Sequence, residues 1–146
     1  MKPNQSAVFH LSIHVSDLEA SRQFYGGVLG CPEGRSTDSW IDFDFFGHQL
    51  SVHVGNPVVT TRTGKVDGIP VPMPHFGAVL ATEIWQHVAE RLRTAGTELI
   101  LEPQERYATE TGAQHTLFVL DPSGNAIELK SMNNQSELFE SGSDNL

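Results

Sequence analysis

Four short stretches of this chain alternate apolar and polar residues, and each of them carries a metal-capable side chain on the polar side. In residues 8–15, VFHLSIHV, the apolar Leu11, Ile13 and Val15 share one face, and His10, Ser12 and His14 share the other. In HFGAVLA (75–81), Phe76 and Ala78 are set to pack while His75 points away; in NAIELK (125–130), Ile127 and Leu129 pack and Glu128 points away. HQLSVHVG (48–55) adds Gln49, Ser51 and His53 opposite Leu50, Val52 and Val54. Successive strand residues point to opposite faces, so strands that share a sheet turn these polar sides into one space. Apolar side chains normally fill the inside of a small sheet, so such a polar cluster is costly unless it is used. Two imidazoles and one carboxylate hold a divalent metal and leave positions open, a set suited to Fe(II) and also accepted by Mn, Ni, Co and Zn. His10, His75 and Glu128 are the candidate ligands. His53 is the candidate acid/base, imidazole being the side chain that takes up and releases protons near neutral pH. Ser51, Ser12, His14, Gln49 and Lys130 are expected to line a substrate pocket. Tyr107 and His115 flank an irregular stretch, residues 102–114, and would reach a substrate if that stretch folds inward. His87, off its helix's apolar stripe, His48, beside a turn, and Cys31 read as structural or surface residues.

The elements that must position these groups occur twice. After the first strand, Ser16 stands three residues before Glu19, the pattern of a capping box, and Leu18, Phe24, Tyr25, Val28 and Leu29 give a helix its apolar face before Gly30. Strands at 39–47 and 48–55 follow, turning at Gly47. The second half repeats the order: a strand at 75–81, a helix capped by Thr82 with Ile84, Trp85, Val88, Ala89, Leu92 and Ala95 on one stripe, then strands at 97–102, 115–120 and 125–130. The reading is an α+β fold in which two βαβββ modules form a curved mixed sheet, a cup or half-barrel, with helices outside. Residues 1–146 make one domain: module 1 at 8–55, a linker or lid loop at 56–74, module 2 at 75–131, and a polar tail at 132–146 expected to be disordered. Modules this small need each other to complete a core.

Composition narrows the partners. The 146 residues carry 18 Asp+Glu against 9 Lys+Arg, a formal net charge of -9, which opposes nucleic acid or an anionic membrane surface as partner. A single cysteine forms no internal disulfide, and no apolar run approaches a membrane span, so the expected location is the cytoplasm and the expected partner a small molecule.

The stretch HLSIHVSDLEASRQFYGGVLG (10–30), the HF at 75–76 and FVLDPSGNAIELK (118–130) together resemble the vicinal oxygen chelate superfamily of glyoxalases, bleomycin-resistance proteins and type I extradiol dioxygenases. The resemblance spans nearly everything between residues 8 and 131. It implies metal ligands at the starts of the first and fifth strands and near the end of the eighth, the places of His10, His75 and Glu128. CPEGRSTDSW and FGHQL are most similar to small extradiol-type dioxygenases. One position departs: Ser51 stands four residues after Gly47, as Glu128 stands four after Gly124, and glyoxalase-I-like members carry a carboxylate there. A three-ligand site is similar to that of the dioxygenases, which implies Fe(II), O2 and a catechol-like substrate. The alternatives implied are a lyase or thiol transferase of the glyoxalase or fosfomycin-resistance type using Mn, Ni or Zn, with Lys130 and Arg106 as nearby cations, and a metal-free binding protein of the bleomycin-resistance type that stacks its ligand on Trp40 and the 43–46 run. The resemblance also implies a homodimer, with the ligand set drawn from one chain or from two.

Overall fold

The computed structural model describes residues 6–66, 68–109 and 112–140, and the side chains of all of these except 66, 103–109 and 112–114. Alternation gives β1 (His10–Val15), and the chain then enters α1 (Leu18–Ser21). Asp17 caps this helix, its Oδ1 accepting from the Ala20 amide at 3.0 Å. Ser16, the expected cap, is engaged elsewhere: its amide donates to Ser123 Oγ at 2.9 Å. From Arg22 to Val28 the helix widens into a π-helical run, in which the Leu29 amide reaches back five residues to the Phe24 carbonyl. Gly30 ends it at φ +75°, a left-handed conformation that costs glycine nothing.

β2 (Glu33–Ser36), β3 (Trp40–Phe45) and β4 (His48–Val54) complete module 1 in the order β1-β4-β3-β2, with β1 parallel to β4 and the other pairs antiparallel. Module 2 repeats this plan. After a hairpin of β5 (Thr61–Val66) and β6 (Ile69–Met73) come β7 (His75–Leu80), α2 (Thr82–Thr94), β8 (Leu99–Thr109), β9 (Gly112–Leu120) and β10 (Ala126–Ser131), ordered β7-β10-β9-β8 with β7 parallel to β10.

Four expectations are corrected. The linker at 56–74 carries a paired hairpin rather than a loop. Of the stretch at 102–114, residues 102–109 continue β8 and 112–114 open β9 instead of being irregular; 110 and 111 lie outside the described residues. In the tail, Gln135–Phe139 forms a 3-10 helix, and Gln135 Nε2 donates to the Val79 carbonyl at 2.8 Å; residues 141–146 lie outside the described part. Thr82 does not cap α2; its hydroxyl donates to Asn133 Oδ1 at 2.7 Å.

The apolar faces of both sheets close on one core. Val15, Tyr25, Phe43, Leu50 and Val52 of module 1 pack in the same cluster as Trp85, Leu92, Leu117, Ile127 and Leu129 of module 2. Each such fully buried side chain contributes about 1.5–3 kcal/mol. Both helices lie in this shared core, which leaves the other face of each sheet for chemistry. Among the described residues no helix is long and apolar enough to cross a membrane.

A buried polar bridge ties the modules together. Tyr25 donates to Asp121 Oδ2 at 2.8 Å, and Asn125 Nδ2 donates to the same oxygen at 2.9 Å and to the His14 carbonyl at 3.0 Å. Burial, with the Asp121 charge beside it, holds the Tyr25 phenol well above its ordinary 10.0, and burial pushes the Cys31 thiol from 9.0 up to about 12. Folding therefore keeps both groups neutral. The stability they confer is complete below their unfolded values and is lost as pH rises through and beyond them. Urea unfolding followed from pH 8 to 11 is expected to show stability falling with pH. Tyr25→Phe is expected to lose about 1–3 kcal/mol at neutral pH and to show a shallower fall above pH ~10. An unaltered alkaline slope in that variant would contradict this role for the phenol.

Candidate metal centre

On β7 and β10 the parallel register pairs His75 with Ala126 and Gly77 with Glu128. Glu128 thus sits diagonally across from His75, one pleat along, and their side chains meet on the face away from the core. His75 Nε2 lies 3.2 Å from Glu128 Oε2. Thr116 on β9 donates to the other carboxylate oxygen, Oε1, at 3.0 Å. His75 Nδ1 lies 2.7 Å from the Pro72 carbonyl, which only accepts, so Nδ1 carries the hydrogen. A neutral ring held this way aims its Nε2 lone pair at a carboxylate oxygen. That arrangement needs positive charge between the two atoms, from a proton or a cation. A ligating histidine that donates its other N–H to a backbone carbonyl is the expected support for a metal, and the donor chemistry of this pair fits one. Gly77 is required by the same closeness, because a Cβ there would fall on the Glu128 carbonyl.

The third expected ligand is not part of this cluster. Among the described residues no group of three metal-capable side chains converges. His10 is exposed on β1, with its Nε2 3.2 Å from Ser12 Oγ. Its surroundings repeat module 2. β1 and β4 pair His10 with Gln49 and Ser12 with Ser51, so Ser51 stands to His10 as Glu128 stands to His75. The structure therefore brings two of the three candidates together and leaves the third on the matching face of the other module, beside a serine where its counterpart has a carboxylate.

The remaining candidates divide by face. Ser12, His14, Gln49, Ser51 and His53 share the face of His10, in rows set by the register; His53 lies between His14 and Trp40, its ring tilted over Trp40 at 6.3 Å. Lys130 shares the face of Glu128, opposite Thr116. His115 does not: its Nδ1 lies 3.0 Å from Ser131 Oγ and its ring 5.0 Å from Trp85, on the helix side. It has the parity of the core residues Leu117 and Val119, which excludes it from the polar face. The Tyr107 side chain lies outside the described residues. Sequence reasoning missed Asp42, which is buried on the polar face of β3 and accepts from Ser51 Oγ and, at 3.3 Å, from Gln49 Nε2. Its signal was the alternation WIDFDF, in which Asp42 opposes Ile41 and Phe43. The β5–β6 hairpin stands where a linker or lid loop was expected at 56–74. It packs Val71 against Phe118 and Leu101, and Phe118 lies edge-on to His75 at 4.9 Å.

Two βαβββ modules on a shared core, with a histidine–carboxylate pair on the polar face of the second, define the class of fold. The chain belongs to the Glyoxalase/Bleomycin resistance protein/Dioxygenase superfamily, whose family model matches residues 7–129. It is similar to the glyoxalase/bleomycin resistance protein/dioxygenase from Alicyclobacillus acidocaldarius, at 28% identity and a TM-score of 0.72 over 94% of this chain and 99% of that one. The fold is also that of the fosfomycin resistance protein FosX from Listeria monocytogenes (18% identity, TM-score 0.61, 89% and 96% covered). A third similar structure is lactoylglutathione lyase from Agrobacterium tumefaciens (17% identity, TM-score 0.58, 90% and 97% covered). No protein of curated function matches the sequence.

Proposed function

We propose that this protein is a divalent-metal-dependent enzyme whose site is completed between two copies of the chain, and that it is an Fe(II) extradiol-type dioxygenase acting on a catechol-like substrate. The observation that carries this reading is the His75–Glu128 pair, 3.2 Å apart with the ring fixed through Pro72, together with an exposed His10 that its own chain leaves apart from them. In a homodimer each cup takes His75 and Glu128 from one copy and His10 from the other. The surface supports such pairing. β1 and β7 both end their sheets as edge strands, and a cleft of about 910 Å³ beside them is lined by Phe9, Leu11, Phe46, Phe76 and Ala78.

A bound divalent iron would supply a positive centre that chelates two adjacent oxygens and lets electrons pass from substrate to O2. The residues do the rest. The Pro72 carbonyl fixes the tautomer of His75, and Thr116 fixes the free oxygen of Glu128. His53 takes a proton from a substrate hydroxyl at its unprotonated ring nitrogen and returns it later. The β5–β6 hairpin, seated through Val71, keeps water from the cup.

Mixing variants tests both halves of the proposal. His10→Ala and Glu128→Ala are each expected to retain no stoichiometric iron alone, whereas refolding them together restores one intact cup per mixed dimer. O2 uptake with catechol should return with it. Failure to regain iron in the mixture would show that the site is not shared between chains. Iron binding without O2 uptake across a catechol series would exclude the dioxygenase and leave a lyase or transferase of the kind named for similar folds.

A further inference from the structure

Asp42 is a buried carboxylate, 8% exposed, on the polar face of module 1. It sits beside Ser51 in the register, the position that corresponds to Phe118 beside Glu128 in module 2. Phe118 is fully buried, so the fold fills this position with an apolar ring elsewhere and does not itself require a charge there. A buried carboxylate is usually a costlier choice than an apolar residue, and here it is surrounded by donors. Ser51 Oγ donates to Oδ1, Gln49 Nε2 donates to Oδ2 at 3.3 Å, and Arg35 lies 3.6 Å from Oδ2, itself 82% exposed.

We propose that Asp42 is the specificity-determining residue of this wall and selects substrates that bring an O–H or N–H donor beside their metal-chelating oxygens. A carboxylate only accepts, so the polarity of its neighbours is fixed by it. The single hydrogen of Ser51 is committed to Asp42, which leaves the serine oxygen nothing but lone pairs to offer. Gln49 turns its NH2 toward the carboxylate and its carbonyl away from it. The wall next to His10 thus presents acceptors backed by a negative charge. A hydroxylated neutral molecule satisfies it. An acceptor-only anion such as a phosphonate meets lone pairs and a like charge in a poorly solvated place, with Arg35, 3.6 Å from Oδ2, drawn to Asp42 and not to the ligand.

The inference rests on the reading that this face lines the cup, and the test separates the two. The Zn(II)-loaded protein, inert to redox, is titrated calorimetrically with catechol, pyrogallol and inorganic phosphate. Pyrogallol, with one hydroxyl more than catechol, is expected to bind the wild type about tenfold tighter, the worth of one added hydrogen bond. In Asp42→Asn, whose single carbonyl oxygen cannot accept from both Ser51 and Gln49 and so releases one of those donors to a ligand, the ratio should fall to about one and phosphate should gain affinity. Gln49→Ala, a change at a half-buried surface position, should lower the ratio partway and decides the matter if Asp42→Asn does not fold. Equal binding of the two phenols by the wild type, or an unchanged ratio in the variants, overturns the proposal while a full zinc content leaves the metal site standing. If zinc is not retained, the metal reading fails, and the same ratio is measured on the metal-free protein.

Discussion

Glu128→Gln is expected to keep the fold and lose the metal. The side chain is isosteric, so Thr116 still donates to an oxygen. The new amide can donate to Nε2 of His75 across the 3.2 Å now bridged by a proton or a cation. No buried polar group is left without a partner, and stability should stay within about 1 kcal/mol of wild type. A metal held as proposed would, in contrast, lose an anionic ligand. Changes merely in the groups behind a ligand cost 10–100-fold in affinity, so loss of the ligand itself should cost at least about 100-fold. Metal analysis after equilibration at fixed free metal, with thermal melting of the same sample, checks both statements. Wild-type metal content in the variant would remove Glu128 from the site.

Gly77→Ala should damage fold and site together. The added methyl would land on the Glu128 carbonyl, and neither partner is a flexible side-chain end: both belong to the backbone of paired parallel strands. β7 and β10 would have to separate, and their register is what sets His75 diagonally across from Glu128. Overpacking of this kind costs about 1–3 kcal/mol and sometimes more; here metal binding should fall with it, although no ligand is changed. Gly27→Ala is the matched comparison. Nothing lies within 4 Å of a Cβ at that position, so removal of a flexible glycine should be neutral or stabilise by about 0.4–1 kcal/mol. Urea denaturation of the two variants should rank them far apart; similar midpoints would contradict the argument from close strand approach.

Much of this geometry was legible because strand parity is a rigid rule. It put His10, Ser12, Ser51, His75 and Glu128 on the polar sides of their strands, though the single shared interior expected for them is divided between two sheets in the chain, and the βαβββ repeat followed from the order of periodic segments. The same rule would have placed His115 with Leu117 and Val119; it went unused because the stretch before His115 read as a loop. The β5–β6 hairpin was hidden by Pro70, Pro72 and Pro74, which read as loop punctuation, although the Asp67-Gly68 pair between strand-like segments is a hairpin signal. Asp17 and Ser16 are both good caps, and the contact of Ser16 with Ser123, more than a hundred residues away, decided between them. Asp42 was hidden in a different way. Its alternation is visible, but that it faces Ser51 depends on how β3 registers with β4, which is a matter of pairing and not of any one segment. Whether three ligands meet in one chain also lies beyond local pattern, since it depends on how the modules are set against each other.

The tether between Pro72 and His75 has a mechanical consequence. The carbonyl that holds the imidazole belongs to the flap strand, three residues upstream, and that same strand anchors the flap through Val71. On the proposed reading, in which the hairpin covers the cup and His75 holds a cation, the doorway and the ligand's aim would be one part. Lifting the hairpin to admit a molecule would slacken the ring and seating it again would re-aim the nitrogen, gearing the grip on a cation to the passage of substrate through a single backbone oxygen.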